Sequence, residues 1–165
     1  MKKILILLFL FLLVPVVRAE EEDLAPNARS AIMIEASTGE ILFQKNKDEK
    51  LAPASMTKMM SMLLIMEEIE NGNLKWDEMI TASERAASMG GSQIFLKVGE
   101  KMSVTDMVKG ISIASGNDAT VAMAERISGS EESFVKKMND RAKELGLKNT
   151  NFVNTTGLTA DNHYS

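Results

Sequence analysis

The chain has 165 residues, 45% of them hydrophobic, with 19 basic and 23 acidic side chains, no cysteine and a single histidine. The length suffices for one domain with a core of its own, and the acidic balance argues against nucleic acid or anionic lipid as the main partner. Disulfides, thiol nucleophiles and thiolate metal sites are excluded, and the lone His163 excludes histidine-based zinc motifs and leaves a Ser-His-Asp triad without support.

Lys2 and Lys3 precede an apolar run from Ile4 to Val17, and Val17-Arg18-Ala19 ends in a small residue ahead of the acidic Glu20-Glu21-Glu22-Asp23. That layout predicts a secretory signal at residues 1–19, too short for a spanning helix of roughly 20 apolar residues. Taking Lys2, Lys3 and Arg18 from the basic residues leaves 16 against 23 acidic ones. An exported protein without disulfides must rely on its core. Residues 20–29 read as an acidic leader. Ser30–Glu35 and Ile41–Lys45 are β-rich runs joined by Ala36-Ser37-Thr38-Gly39-Glu40, which predicts a hairpin. A charged loop follows to Leu51, with Pro53 just ahead of a helix.

Ser55–Glu70 carries Met56, Met59, Met60, Met62, Leu63, Leu64, Ile65, Met66 and Ile69, apolar on nearly every helical face, and closes on Asn71-Gly72. This predicts an interior helix. Trp76–Gly91 reads as a short helix and a glycine-rich loop, and Gln93–Val98 as a brief extended run. Ser103 caps a helix to Ile113. Ser115-Gly116-Asn117-Asp118 interrupts the chain before a helix over Ala119–Ile127. Ser130 caps an amphipathic helix ending at Leu145, with Gly146 as its stop. One early hairpin followed by helices predicts the helix-rich part of an α+β fold. The hairpin has no visible sheet partners, and two strands alone are marginal.

Without cysteine or a histidine base, a serine hydrolase must activate its nucleophile by other means; a neutral lysine can do it, and a serine three residues before a lysine on a helix brings the two together. With 14 serines and 14 lysines, about one such pair arises by chance, so the spacing alone is weak. Two pairs occur, Ser55/Lys58 and Ser133/Lys136. Lys136 lies among Glu131, Glu132, Lys137 and Asp140 on a solvated face and keeps its proton. Lys58 lies in the apolar helix, where desolvation disfavours the charged form. Ser55 also sits at the positive helix end, which favours a developing oxyanion. Ser-x-Asn occurs once, at Ser115-Gly116-Asn117, in a break between helices. There Ser115 can relay a proton and Asn117 can bond Lys58 and a substrate amide, or both can simply cap helices. Lys97-Val98-Gly99 reads as a structural strand-to-turn exit, and His163 as a polar loop residue.

Ala54–Met60, Gly91–Leu96, Gly110–Ala119, Glu144–Thr150, Asn154–Leu158 and His163-Tyr164-Ser165 together resemble the serine-type D-alanyl-D-alanine carboxypeptidases, low-molecular-mass penicillin-binding proteins. The similarity runs from Ser30 to the end. It implies a β-lactamase/transpeptidase-like fold, truncated here to the helical subdomain and the first strands of the antiparallel sheet, with residues 30–165 the N-terminal part of the catalytic domain. It implies that Ser55 attacks the bond between the two terminal D-alanines of a peptidoglycan stem peptide. Lys58 would be the general base, Ser115 the proton relay and Asn117 the substrate-positioning group. β-Lactam antibiotics would acylate Ser55, with no metal or organic cofactor and a place on the extracytoplasmic face of the membrane or in the wall.

The family's K-T-G strand, which also supplies an oxyanion-hole amide, is not in the sequence. The chain by itself is therefore expected to be inactive. The family's C-terminal membrane-attaching helix is not there either, so attachment through such a segment stays open. Two rivals stand beside this expectation. One is a class A β-lactamase, which usually has Asp where this chain has Gly116. The other is a non-catalytic cell-wall binding module.

Overall fold

A computed structural model describes residues 23–165, and the expected signal at 1–19 lies outside them. The described residues fall into two compact units, divided after Lys47.

In the first, β1 (Ala31–Ile34) pairs antiparallel with β2 (Ile41–Lys45), Met33 facing Phe43, with an irregularity after Met33. The turn follows from its residues. Gly39 takes a positive φ of 73°, and the Glu35 carboxylate accepts hydrogen bonds from Ser37 N, Ser37 Oγ and Thr38 N. Those bonds favour the ionised form and lower the Glu35 pKa to about 2. The predicted hairpin is present. Among the described residues it remains a two-stranded sheet, with Ile32, Ile34, Ile41 and Leu42 exposed.

The second unit holds the helices. A 3-10 turn, Ala54–Thr57, follows Pro53 and runs into α1 (Lys58–Glu70). Then come β3 (Met79–Thr81), α2 (Glu84–Ala87), β4 (Lys101–Ser103), α3 (Val104–Ala114), α4 (Asn117–Ser128) and α5 (Glu131–Glu144). Serine caps start three of the helices. Ser83, Ser103 and Ser130 each accept a hydrogen bond through Oγ from the amide three residues on. Helix α4 is the axis of the unit, buried at every residue from Asn117 to Ala124 and packed against α1, α2, α3 and α5. One core cluster gathers Ile65, Val104, Met107, Val121 and Met123, and a second gathers Met60, Leu64, Phe134, Met138 and Phe152. Glu67–Arg141 and Glu68–Lys137 ion pairs also join α1 to α5.

Three expectations change. Helix α1 is not interior on all sides: Met60, Leu64 and Ile65 are buried, but Met59 is 73% exposed and Met66 also faces solvent. The period of its apolar residues cannot choose between faces when nearly every face is apolar. Residues 93–97 form no strand. The backbone amides of Ile94 and Leu96 donate to the buried Asp118 carboxylate instead of to a ladder, and Phe95 between them takes φ 62°. The β3–β4 ribbon, with Ile80 opposite Met102, escaped the sequence because three-residue strands carry almost no pattern. Among the described residues no helix is long and apolar enough to cross a membrane.

Candidate active site

Pro53 and a left-handed Ala54 (φ 47°) lead the chain into the 3-10 turn. In that geometry residues three apart eclipse one another more closely than in an α-helix. Ser55 and Lys58 therefore stack, with Lys58 Nζ 3.3 Å from Ser55 Oγ. Ser55 is exposed while Lys58 is only 5% exposed. The Lys58 amine also donates to the Thr156 carbonyl at 2.8 Å, and it pairs with no carboxylate among the described residues. Burial lowers its pKa below the ordinary lysine value, in the direction a general base needs.

Ser115 ends α3 in the left-handed region, φ 57° and ψ 34°, a conformation that costs a non-glycine residue about 1–2 kcal/mol. Strain of this kind gathers at functional sites. Ser55, Lys58 and Ser115 line one cleft of about 280 Å³ with Met59, Met62, Ile111 and Ser112.

Asn117 is not in that lining. It opens α4, its amide donates to Ser92 O at 2.7 Å, and its Nδ2 donates to Gly90 O at 2.7 Å. The expected bond to Lys58 is not formed: the amine contacts Ser55 Oγ and the Thr156 carbonyl, and the Asn117 amide group is turned to Gly90 O. Asn117 Oδ1 and Ser115 Oγ are both buried without a hydrogen-bond partner among the described residues. An atom of this kind left unpaired costs about 1–3 kcal/mol, so each is open to a polar partner that enters the site.

The other sequence candidates resolve differently. Lys136 is ion-paired to Asp140 at 2.7 Å, and that hydrogen bond raises its pKa. Lys97-Val98-Gly99 forms a turn, Gly99 having φ 79° and donating to Ala82 O. His163 lies in a loop but is not a loose polar residue. It is 5% exposed, accepts from Val153 N at Nδ1 (3.0 Å), and contacts Thr57 Oγ1 through Nε2 at 2.8 Å. The Nδ1 acceptor role assigns the proton to Nε2, which donates to Thr57.

What the sequence missed is the floor of the site. Thr155 and Thr156 are buried beneath α1, with Ser61 Oγ donating to Thr155 O at 2.7 Å and Lys58 to Thr156 O. Glu131 receives Thr155 N and Oγ1 on one oxygen and Arg85 on the other. Gly157, at φ 87°, lies so close to the Ala54 carbonyl that no side chain fits. The Asn-Thr-Thr-Gly string announced a turn, but backbone carbonyls send no signal through residue type.

A family model described as D-alanyl-D-alanine carboxypeptidase, of peptidase family S11, matches residues 16–165. The chain is 65% identical over 143 residues to the D-alanyl-D-alanine carboxypeptidase DacF of Bacillus subtilis, covering 87% of this chain and 37% of that one. Among solved structures, the D-alanyl-D-alanine carboxypeptidase DacD of Francisella tularensis superposes with a TM-score of 0.84 at 43% identity, over 91% of this chain and 36% of that one. Penicillin-binding protein D2 of Listeria monocytogenes, in its ampicillin-bound form, gives 0.75 at 29% identity, over 87% and 57%. The chain thus spans less than two fifths of the length of DacF, and the expected α+β, transpeptidase-like fold is the one its neighbours share.

Proposed function

The chain belongs to the D-alanyl-D-alanine carboxypeptidase family, and from that premise we propose that the full-length protein is a serine carboxypeptidase of peptidoglycan stem peptides ending in D-Ala-D-Ala. The observation that carries this reading is a buried amine, with no carboxylate paired to it among the described residues, 3.3 Å from the hydroxyl of the exposed Ser55. As Ser55 Oγ attacks the carbonyl carbon between the two D-alanines, its proton passes to the neutral Lys58 amine. The C–N bond then breaks, and the departing D-alanine amine takes a proton relayed through Ser115. Water adds to the Ser55 ester, and its hydrolysis releases the shortened peptide as a carboxylate and restores the serine. Asn117, two residues after Ser115 at the start of α4, positions the substrate amide.

β-Lactams acylate the same serine because they mimic the dipeptide. The ampicillin-bound relative supports that assignment. Residues 30–165 form the nucleophile-bearing part of the catalytic domain, and residues 1–19 direct export to the outer face of the membrane or the wall.

The 165 residues alone do not turn over substrate. They contain no K-T-G, and one missing oxyanion-hole donor costs about 2.7–4 kcal/mol of transition-state stabilisation. Fluorescent penicillin tests each part. The full-length protein takes up one label, and Ser55→Ala takes up none. D-Alanine release that survives Ser55→Ala would exclude Ser55 as the nucleophile. Stoichiometric labelling of the 165-residue chain would overturn its inactivity.

A further inference from the structure

A neutral lysine amine has one lone pair, and only that pair can take the serine proton, so something must turn it toward Ser55. The Thr156 carbonyl is placed to do so, since at 2.8 Å it engages a hydrogen of the amine. A carbonyl is only as fixed as its peptide plane. The N–H on the other edge of that same plane belongs to Gly157, and it donates to Asn154 Oδ1 at 2.7 Å. The same oxygen accepts from Thr156 N at 3.1 Å and Thr156 Oγ1 at 3.3 Å, while Asn154 Nδ2 donates to Leu158 O at 2.7 Å. One side chain thus grips the 156–157 peptide by the end opposite Lys58. The grip is needed because Gly157, with no Cβ, is free to follow that peptide if it rotates. The preceding carbonyl, Thr155 O, is held separately by Ser61, so the loop stays docked whichever way the 156–157 plane faces.

We infer that Asn154 is a positioning residue for acylation: it locks the 156–157 peptide so that the Thr156 carbonyl holds the Lys58 amine with its lone pair on Ser55. This rests on the reading of Lys58 as general base. Asn154 touches no reacting atom and acts through the peptide it holds.

The test is a carbon-13 titration of the full-length protein, following Lys58 Cε and the Thr156 carbonyl carbon in the parent, Asn154→Ala and Asn154→Asp. In the parent the two signals titrate together, because the amine's proton count is felt through the hydrogen bond. In Asn154→Ala the carbonyl loses that response while the remaining spectrum stays folded. Asn154→Asp keeps the acceptor oxygen and keeps the coupling. Should Asn154→Ala fail to fold, Asn154→Ser, whose shorter hydroxyl cannot reach all three donors, is read in its place. In the full-length protein the acylation rate constant at saturating benzylpenicillin falls on the order of a hundredfold in Asn154→Ala, the cost of misplacing a catalytic group by about 1 Å. It recovers in Asn154→Asp, with half-saturation unchanged. Coupling or an acylation rate that survives the alanine variant overturns the inference. A parent Lys58 that titrates at the ordinary lysine value overturns the general-base reading instead, so the two failures are told apart.

Discussion

An alanine at position 157 puts one methyl group where the structure has room for none. Its Cβ would overlap the Ala54 carbonyl and stand 2.9 Å from Thr57 Oγ1, with the backbone at φ 87°. Two costs add. A left-handed non-glycine residue costs about 1–2 kcal/mol, and overpacking against backbone that cannot step aside costs about 1–3 kcal/mol more. The sum, about 2–5 kcal/mol, is a large share of the 5–15 kcal/mol that holds a typical domain together. Gly146 supplies the control, because it has φ 73° and nothing within 4 Å of an added methyl, so Gly146→Ala carries the first cost alone. Urea unfolding of both variants measures the difference. The amide shifts of residues 54–58 should move in Gly157→Ala and stay put in Gly146→Ala. Equal losses for the two variants would refute the claim that residue 157 seats the nucleophile turn by close approach.

Lys58→Met should abolish penicillin acylation of the full-length protein and lower stability by no more than about 2 kcal/mol, because the hydrogen bond lost at Thr156 O is offset by burying a thioether in place of an amine. A loss above about 2 kcal/mol would show a structural role instead. Asp118→Asn replaces an acceptor that serves Ile94 N, Leu96 N and Ala119 N, and should cost about 1–3 kcal/mol. Hydrogen exchange at Ile94 and Leu96 should quicken, and unchanged protection there would count against the carboxylate as their anchor. Burial holds the His163 imidazole below its ordinary 6.5, so the folded chain keeps it neutral where the unfolded chain takes up a proton. Its contribution to stability is present above pH 6.5 and is lost as pH falls through that value toward the folded pKa. His163→Asn should flatten the unfolding free energy between pH 7 and 5, and an unaltered pH slope would argue against it.

The parts legible in the sequence are those whose causes are local. Ser103 and Ser130 announced their helices because a cap is made within three residues, and Gly39 and its neighbours announced the hairpin for the same reason. Ser55, Lys58 and Ser115 were legible as candidates because their side chains carry the chemistry, and the cleft brings these three together. The placement of Asn117 was not legible. Its partner, Gly90 O, is a backbone atom 27 residues away. The same limit hid Thr156, whose carbonyl lies 98 residues from Lys58. Helix α1 misled because methionine is apolar on an exposed face as much as on a buried one, so Met59 and Met60 looked alike and are not. The 93–97 segment misled because a buried carboxylate replaced the strand partner its composition suggested.

The nucleophile and its neighbouring amine are three residues apart, yet the groups that dry and orient them arrive about a hundred residues later. Contacts of such long span form late, since a large loop must close before they give anything back. A nascent or half-collapsed chain therefore carries an ordinary solvated serine beside an ordinary charged lysine, inert toward any acyl donor it meets. The drying of the Lys58 amine beside Ser55 thus waits on the docking of the 154–163 segment.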